Sequence, residues 1–212
     1  MKTIVCYGDS NTHGFNPDDW GRYPKMFRWP GILQEMLGPD YDVVEEGCNG
    51  RTTVFVQPDE PWKEGLHYLK PCINSHKPVD ILIIMLGTND LKFMYNASAE
   101  DIAKGAERLV QEVITFTKSK EILTPNIILV SPPELGGEIA SSFFGNEFDD
   151  ASVAKSKEFS KYYKAVADRN GCAFLDAAKI IEPDYKDQLH LSPAQHSQLA
   201  EALCQCVRGL EK

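Results

Sequence analysis

The chain has 212 residues, of which 42% are hydrophobic and 25% are charged, and it carries a formal net charge of −9 with a pI of about 5.1. This length and composition predict one globular domain over residues 1–212, since single cores divide only beyond about 250–300 residues. An acidic surface repels phosphate backbones and anionic lipid, so we predict no nucleic-acid partner and no membrane partner, and no apolar run is long enough to span a bilayer.

The first residues predict a buried strand and not a targeting segment. The apolar stretch in Met1–Gly8 is too short for the hydrophobic region of a signal peptide. Six cysteines are spread over predicted strands, loops and helices, with no Cys-x-x-Cys pair of the kind that indicates a zinc knuckle. We therefore expect free thiols in a cytoplasmic protein that uses no cofactor and no metal.

Apolar runs alternate with amphipathic stretches along the chain, which predicts an α/β fold with a parallel sheet. The run Ile81–Leu86 is continuously apolar, as is typical of a strand buried on both faces. The predicted strands are Thr3–Tyr7, Asp42–Glu46, Val79–Leu86, Asn126–Ser131 and Cys172–Leu175.

Helices are predicted between these strands, with apolar stripes that indicate core packing and not a cofactor site. The last helix begins at Ser192-Pro193-Ala194-Gln195, where serine as N-cap, proline at the first helical position and glutamine three residues after the cap make a capping-box start. The earlier helices are predicted over Pro30–Leu37, Pro61–Asn74, Ala99–Lys118 and Ser152–Arg169.

Two loops are unusually long for a compact domain. The loop Asn11–Trp29 is rich in aromatic residues, and the loop Pro132–Asp150 contains the pair Phe143-Phe144. Long loops are usually either functional or disordered. The aromatic content favours a function as the walls of a pocket.

Polar segments follow all five predicted strands. Ligands of open parallel α/β sheets bind outside the carboxyl ends of the strands, so these segments are predicted to converge at one edge of the sheet. The segments are Gly8–Asn11, Gly47–Thr52, Gly87–Asp90, Pro132–Asp150 and Asp187–His190.

The converging residues are those that acyl transfer needs. A serine hydroxyl requires a base, an imidazole can serve as that base, and a carboxylate can orient the imidazole. We predict Ser10 as nucleophile, His190 as base and Asp187 as acid, with Asp184 as an alternative acid because it lies close by in the sequence. The other histidines rank lower because of their predicted positions: His67 and His196 in helices, His76 at the opposite sheet edge, and His13 only three residues from Ser10.

A tetrahedral intermediate also needs hydrogen-bond donors for its oxyanion. The backbone N–H groups of Ser10 and Gly50 and the side-chain amide of Asn89 are the predicted donors, and Asp9 is predicted to brace its loop. Each of these short motifs is, by itself, more often only a turn or a helix cap. Their joint placement at one edge favours a catalytic site.

Four sequence blocks carry a resemblance to a known family. They are Tyr7–Thr12, Glu46–Thr53, Met85–Asp90 and Asp187–Ser192. In this order they resemble the SGNH hydrolases, also called the GDSL esterases and lipases, whose four name-giving residues match Ser10, Gly50, Asn89 and His190. The resemblance implies a flavodoxin-like three-layer α/β/α sandwich with a five-stranded parallel sheet, and hydrolysis that needs no metal.

Further stretches are similar to the arylesterase and acyltransferase subgroup of that family. They are Val44–Gly47, Arg51–Thr53, Ile83–Asp90 and Val130–Pro133. This resemblance implies a small-molecule ester substrate, and a relative that acts on acetylated sugars fits equally well. Loops 11–29 and 132–150 differ from the subgroup, so the resemblance leaves a homo-oligomer open.

We therefore predict a serine esterase that forms an acyl-enzyme on Ser10. Its expected substrates are short-chain acyl esters, acetyl esters included, of small alcohols, aryl alcohols or sugars, and acyl transfer to alcohols is a further expected activity. Two alternatives stay open: a thioesterase or lysophospholipase-type SGNH hydrolase, and a catalytically silent flavodoxin-like binding module.

Overall fold

A computed structural model describes residues 1–183 and 186–210 of the chain. Its strands form one parallel sheet in the order β2-β1-β3-β4-β5. They are β1 (Lys2–Gly8), β2 (Tyr41–Gly47), β3 (Ile81–Met85), β4 (Asn126–Ser131) and β5 (Ala173–Asp176). The predicted α/β class and its five-stranded parallel sheet are confirmed.

Helices connect the strands and cover the sheet. They are α1 (Ser10–His13), α2 (Trp29–Leu37), α3 (Gly65–His76), α4 (Ala99–Ser119), α5 (Asp150–Ser156), α6 (Phe159–Asn170) and α7 (Pro193–Gly209). None of these described helices has the length and apolar character needed to cross a membrane.

The period-two alternation of the strands builds a separate core on each face of the sheet. In β1, Val5 and Tyr7 face a core formed with α3, α4 and α6, whereas Ile4 and Cys6 face a core formed with α2 and α7. Every one of these four side chains is fully buried. Helices on both faces of the sheet make the predicted three-layer arrangement.

The segment predicted as one helix over Ser152–Arg169 is two helices, so that prediction was wrong in its interior. Helix α5 ends at Ser156 and α6 begins at Phe159. The Ser156 hydroxyl donates to the Val153 carbonyl at 2.7 Å and accepts the Leu135 N–H at 3.0 Å. A serine that bonds its own backbone in this way competes with the helical hydrogen bonds, which explains the break.

The helix predicted over Pro61–Asn74 also differs at its beginning. Pro61–Lys63 forms a single 3₁₀ turn, and α3 begins only at Gly65. The reason is a tertiary contact: Thr52 donates its N–H to the Lys63 carbonyl and accepts the Gly65 N–H, both at 3.1 Å. These bonds hold the backbone at Glu64 extended, which a continuous helix does not permit.

The sheet register brings the ends of three strands together. Gly8 at the end of β1 is paired with Gly47 at the end of β2 and with Met85 at the end of β3. The polar segments that follow these glycines and Met85 therefore leave the sheet side by side. The fold places the candidate site at this carboxyl edge.

Candidate active site

Ser10, His190 and Asp187 form a continuous chain of hydrogen bonds. The Ser10 hydroxyl lies 2.9 Å from His190 Nε2, and His190 Nδ1 lies 2.6 Å from Asp187 Oδ2. All three side chains are buried. Ser10, from the beginning of the chain, and Asp187 and His190, from its end, are therefore in the arrangement that an activated serine requires.

The acid lies in a tight turn that also binds backbone N–H groups. Asp187 Oδ1 accepts the N–H groups of Leu189 and His190 at 3.0 and 2.9 Å. Burial by itself raises the pKa of Asp187, but the hydrogen bond and charge of His190 and the two N–H groups outweigh it and leave this pKa below its usual value. Asp187 is thus held ionised. The alternative acid, Asp184, lies outside the described residues.

A short helix presents the candidate nucleophile. Ser10 is the first residue of α1, and Asp9 caps this helix by accepting the Asn11 N–H at 3.0 Å. The Asn11 side chain donates in turn to the Leu189 carbonyl at 3.3 Å. This bond joins the serine helix directly to the turn that holds the imidazole, so the two partners keep a common position.

Two of the predicted oxyanion donors lie in neighbouring loops. Asn89 donates one amide hydrogen to the Arg51 carbonyl at 3.1 Å, which fixes the amide and leaves its second hydrogen for another acceptor. Gly50, one residue before Arg51, has a φ of +77°, a conformation that favours glycine. Ser10 stands at the first position of a helix, where a backbone N–H has no acceptor within the helix.

Buried side chains connect these loops from below. Asp90 accepts the Thr53 N–H at 2.9 Å and the Thr53 hydroxyl. Arg51 donates to the Gly8 carbonyl at 3.0 Å, and its guanidinium lies 4.4 Å from the centre of the Tyr7 ring. The loops after β1, β2 and β3 are therefore one hydrogen-bonded unit.

Two buried acids beneath the serine have altered pKa values. Burial raises the pKa of Asp9 to about 7, and it raises the pKa of Asp90 to about 6 although Thr53 bonds oppose this. The negative charge of Asp90 adds to the effect on Asp9. Both acids are fully enclosed, so their part is to hold the loops and not to contact a substrate.

Aromatic rings from both long loops cover the imidazole. The ring centres of Phe15 and Phe144 lie 4.3 and 5.5 Å from that of His190. Trp20 packs edge-on against Phe143 at 4.4 Å and remains half exposed. We call Phe15, Trp20, Phe143 and Phe144 the aromatic wall. Both long loops therefore contribute aromatic rings at the candidate site, and their part as walls of a pocket stays a prediction.

Gln188 connects the loop Pro132–Asp150 to the turn that contains Asp187 and His190. The Gln188 side chain accepts the Glu138 N–H at 3.1 Å, and its carbonyl accepts the Gly136 N–H at 2.8 Å. A Cβ at position 136 would lie 2.2 Å from the Gln188 amide oxygen, so a larger residue there would require the Gln188 side chain to move. Sequence reasoning missed Gln188, and its place between the predicted acid and base was the only available signal.

The remaining histidines do not join Ser10. His196 is fully buried in α7, where its Nδ1 accepts the Trp29 N–H at 3.3 Å. His76 lies 2.7 Å from Glu46, and His67 is exposed on α3. His13 is the last residue of α1, three residues after the serine.

Comparisons with known proteins add a family to this geometry. The model of the GDSL-like lipase/acylhydrolase family matches residues 6–198. The structure of an aryl esterase from M. smegmatis is similar, with 36% identity, a TM-score of 0.93 and coverage of 99% of this chain and 100% of that chain. A carbohydrate acetylesterase from Sinorhizobium meliloti is also similar, with 34% identity, a TM-score of 0.90 and the same coverage of the two chains. No curated protein sequence matches.

Proposed function

The chain belongs to the GDSL-like lipase/acylhydrolase family and is a carboxylic ester hydrolase. We propose that it cleaves short-chain acyl esters through an acyl-enzyme on Ser10. The observation that carries the proposal is the distance of 2.9 Å between the Ser10 hydroxyl and His190 Nε2. Asp187 lies on the other ring nitrogen, where a carboxylate selects the tautomer whose Nε2 accepts a proton.

In the first half of the reaction, His190 takes the Ser10 proton while the serine oxygen attacks the ester carbonyl. The ionised Asp187 stabilises the imidazolium that forms. His190 then gives this proton to the leaving alcohol, and the acyl group stays on the serine. Water completes the cycle by the same route, with His190 again as the base.

The negative charge of each tetrahedral intermediate is held by hydrogen-bond donors. We assign this role to the N–H groups of Ser10 and Gly50 and to the free amide hydrogen of Asn89. The bond from Asn89 to the Arg51 carbonyl supports the assignment because it orients the amide before a substrate arrives. Donors that are already oriented lower the barrier without reorganisation during the reaction.

The aromatic wall supports an assignment for the alcohol part of the substrate. His190 must protonate the leaving oxygen, so the leaving group lies against the rings that surround the imidazole, Phe15 and Phe144. Aryl rings and the apolar faces of sugars both pack on aromatic side chains. We therefore propose acetyl esters of aryl alcohols or sugars as substrates. The similar structures are an aryl esterase and a carbohydrate acetylesterase, which agrees with this choice.

Acyl transfer is a further proposed activity of the same acyl-enzyme. An alcohol that packs on the aromatic wall stands where the first leaving group stood, beside His190. It can therefore lose its proton to the imidazole and take the acyl group in place of water. The ratio of ester to free acid formed from p-nitrophenyl acetate and benzyl alcohol measures this activity.

A labelling experiment tests the nucleophile. A fluorophosphonate probe should modify the wild type at Ser10 and should not modify Ser10→Ala, while Ser119→Ala, which removes an exposed serine far from the site, should react normally. Hydrolysis of p-nitrophenyl acetate should vanish in Ser10→Ala. A catalytically silent binding module would show no labelling, and full esterase activity in Ser10→Ala would refute the mechanism.

A substrate panel tests the specificity. It contains p-nitrophenyl acetate, p-nitrophenyl esters of longer acids, acetylated xylose and an acyl-CoA. The proposal expects the highest kcat/KM on the acetyl esters. A preference for acyl-CoA or for long acyl chains would replace it with a thioesterase or lysophospholipase-type activity.

A further inference from the structure

Glu46, Cys72 and His76 form a compact cluster of metal-binding side chains away from the serine. One ligand atom of each residue lies within 4.8 Å of those of the other two, and His76 Nε2 lies 2.7 Å from Glu46 Oε1. The thiol is fully buried, whereas the carboxylate and the imidazole are partly exposed. The cluster is therefore accessible to an ion from solvent.

The fold, and not the local sequence, produces this cluster. Cys72 and His76 are four residues apart on α3, so they lie on one face of the helix, one turn from each other. Glu46 comes from the edge strand β2, on the same face of the sheet as Val44, which packs against the core that contains α3. No Cys-x-x-Cys pattern is involved, which is why sequence reasoning predicted no zinc site.

We propose that Glu46, Cys72 and His76 bind a zinc ion, with water as the fourth ligand. Thiolate, imidazole and carboxylate are the three ligand types that zinc takes in proteins. Around a tetrahedral zinc the ligand atoms stand about 3.3–3.8 Å apart, given bond lengths of about 2.0–2.3 Å. The separation of 2.7 Å between His76 Nε2 and Glu46 Oε1 is shorter than this value, so these two side chains must move apart to admit the ion, while all three ligand atoms already lie within 4.8 Å of one another.

Zinc binding requires the thiolate form of Cys72. The two positive charges of the ion favour the deprotonated sulfur. Binding forms an S–Zn bond, breaks the S–H bond and releases the proton to solvent.

The three proposed ligands come from two separate elements of the fold. Cys72 and His76 lie on α3, and Glu46 lies on β2. A bound zinc would clamp α3 to the edge strand β2, and this role is independent of the proposed esterase function.

Spectroscopy with cobalt and calorimetry with zinc test the site on the full chain. The wild type, treated with chelator, should bind one Zn²⁺ with a Kd of about 1 μM or tighter. Co²⁺ should give a thiolate-to-metal charge-transfer band that disappears in Cys72→Ser. Glu46→Gln and His76→Gln each remove one proposed ligand and should weaken zinc binding by more than about 10- to 100-fold, the loss that is usual for a residue that only orients a ligand.

Matched variants keep the test decisive. His67→Gln removes an exposed histidine of the same helix, and Cys172→Ser removes a partly buried thiol outside the cluster, so both should bind zinc like the wild type. Glu46→Gln and His76→Gln alter partly exposed residues, so they stay informative if Cys72→Ser does not fold. A wild-type affinity equal to that of the Glu46→Gln/His76→Gln double variant, or a cobalt spectrum without a thiolate band, would overturn the proposal.

Discussion

At the scale of single residues, the protonation pattern of His190 decides what Ser10 can do. Its Nδ1 faces the Asp187 carboxylate, which only accepts hydrogen bonds when ionised, and its Nε2 faces the serine hydroxyl. In the proposed mechanism the carboxylate keeps the proton on Nδ1 and leaves Nε2 to accept the Ser10 proton. The imidazole then acts as the base toward Ser10.

Replacing Asp187 with asparagine should remove this control of the tautomer. The amide nitrogen can donate to Nδ1, which would move the ring proton to Nε2 and deprive Ser10 of its acceptor. We expect kcat to fall by about 10⁴-fold, as in other serine hydrolases with this change. Steady-state hydrolysis of p-nitrophenyl acetate measures it. A variant that keeps more than a tenth of the activity would point to a different acid, with Asp184→Asn as the matched comparison.

Asn89→Ala should reduce turnover and leave substrate binding largely unchanged. The amide is assigned to the oxyanion, which exists only in the transition state and the intermediates. Loss of one such donor typically lowers kcat by about 10²–10³-fold. The kinetic constants should therefore show a large change in kcat and a small change in KM. An equal loss shared by KM and kcat would mean that Asn89 binds the ground state instead.

At the scale of elements, the turn that contains Asp187 and His190 is hydrogen-bonded to the long loop Pro132–Asp150. Gln188 has a φ of +65°, a conformation that costs free energy for residues other than glycine, and it makes two hydrogen bonds to the loop Pro132–Asp150. That loop carries Phe144, which lies against His190. Gln188 is thus a positioning residue that connects the aromatic wall to the catalytic turn.

The side-chain bond of Gln188 can be tested by a short series of substitutions. Gln188→Ala and Gln188→Asn cannot reach Glu138, whereas Gln188→Glu keeps an acceptor of the same length. The first two should raise KM for aryl acetates by about 2- to 12-fold, the equivalent of one hydrogen bond of about 0.5–1.5 kcal/mol. Ethyl acetate should be affected less, because it makes fewer contacts with the wall.

The glutamate variant controls for the turn itself. It should restore the KM for aryl acetates to near the wild-type value, because its carboxylate can accept the Glu138 N–H. If all three variants lose kcat equally on aryl and alkyl esters, Gln188 serves only the geometry of the acid turn, and the link to the aromatic wall is wrong.

At the scale of the whole molecule, buried ionisable groups couple folding to pH. Burial lowers the pKa of His196 to about 3, with smaller contributions from the charges of His190 and Arg28. Burial raises the pKa of Asp9 and Asp90, as described above. The folded protein therefore holds an uncharged histidine over a pH range in which the unfolded chain protonates it.

The sign of the His196 effect follows from this difference. As pH falls below about 6.5, the unfolded state gains a proton that the folded state does not bind, so the free energy of unfolding decreases. Between pH 7.5 and pH 5 this amounts to about 2 kcal/mol. His196→Asn keeps an acceptor for the Trp29 N–H and has no titratable group.

Urea unfolding at pH 7.5 and pH 5 measures the effect. The decrease in unfolding free energy should be larger in the wild type than in His196→Asn, and the contributions of Asp9 and Asp90 should cancel because both proteins contain them. An identical pH dependence in the two proteins would show that His196 accepts a proton while folded.

Much of the fold and of the candidate site could be predicted from the sequence, because both depend on local patterns of apolar and polar residues. Buried parallel strands leave continuous apolar runs such as Ile81–Leu86, and a parallel sheet collects the residues after its strands at one edge. On that basis Ser10 and His190 were expected to meet, and their atoms lie 2.9 Å apart. Their catalytic roles stay predictions until the variants are measured.

Features that depend on contacts between distant segments could not be predicted. The break after Ser156 arises where its hydroxyl meets the Leu135 backbone, and the late start of α3 arises where Thr52 bonds to Lys63 and Gly65. A propensity pattern contains no information on such partners, because each segment alone is compatible with a longer helix.

The sequence by itself determined the α/β class, the strand positions and the family, since alternation of apolar runs and the spacing of short motifs are properties of the chain. Only the tertiary structure decided which groups are adjacent across the sheet edge: Gln188 with the second long loop, and Glu46 with Cys72 and His76. The physical reason is that such neighbours are set by packing, in which the register of the strands and the rotation of each helix bring together residues that are far apart in the chain.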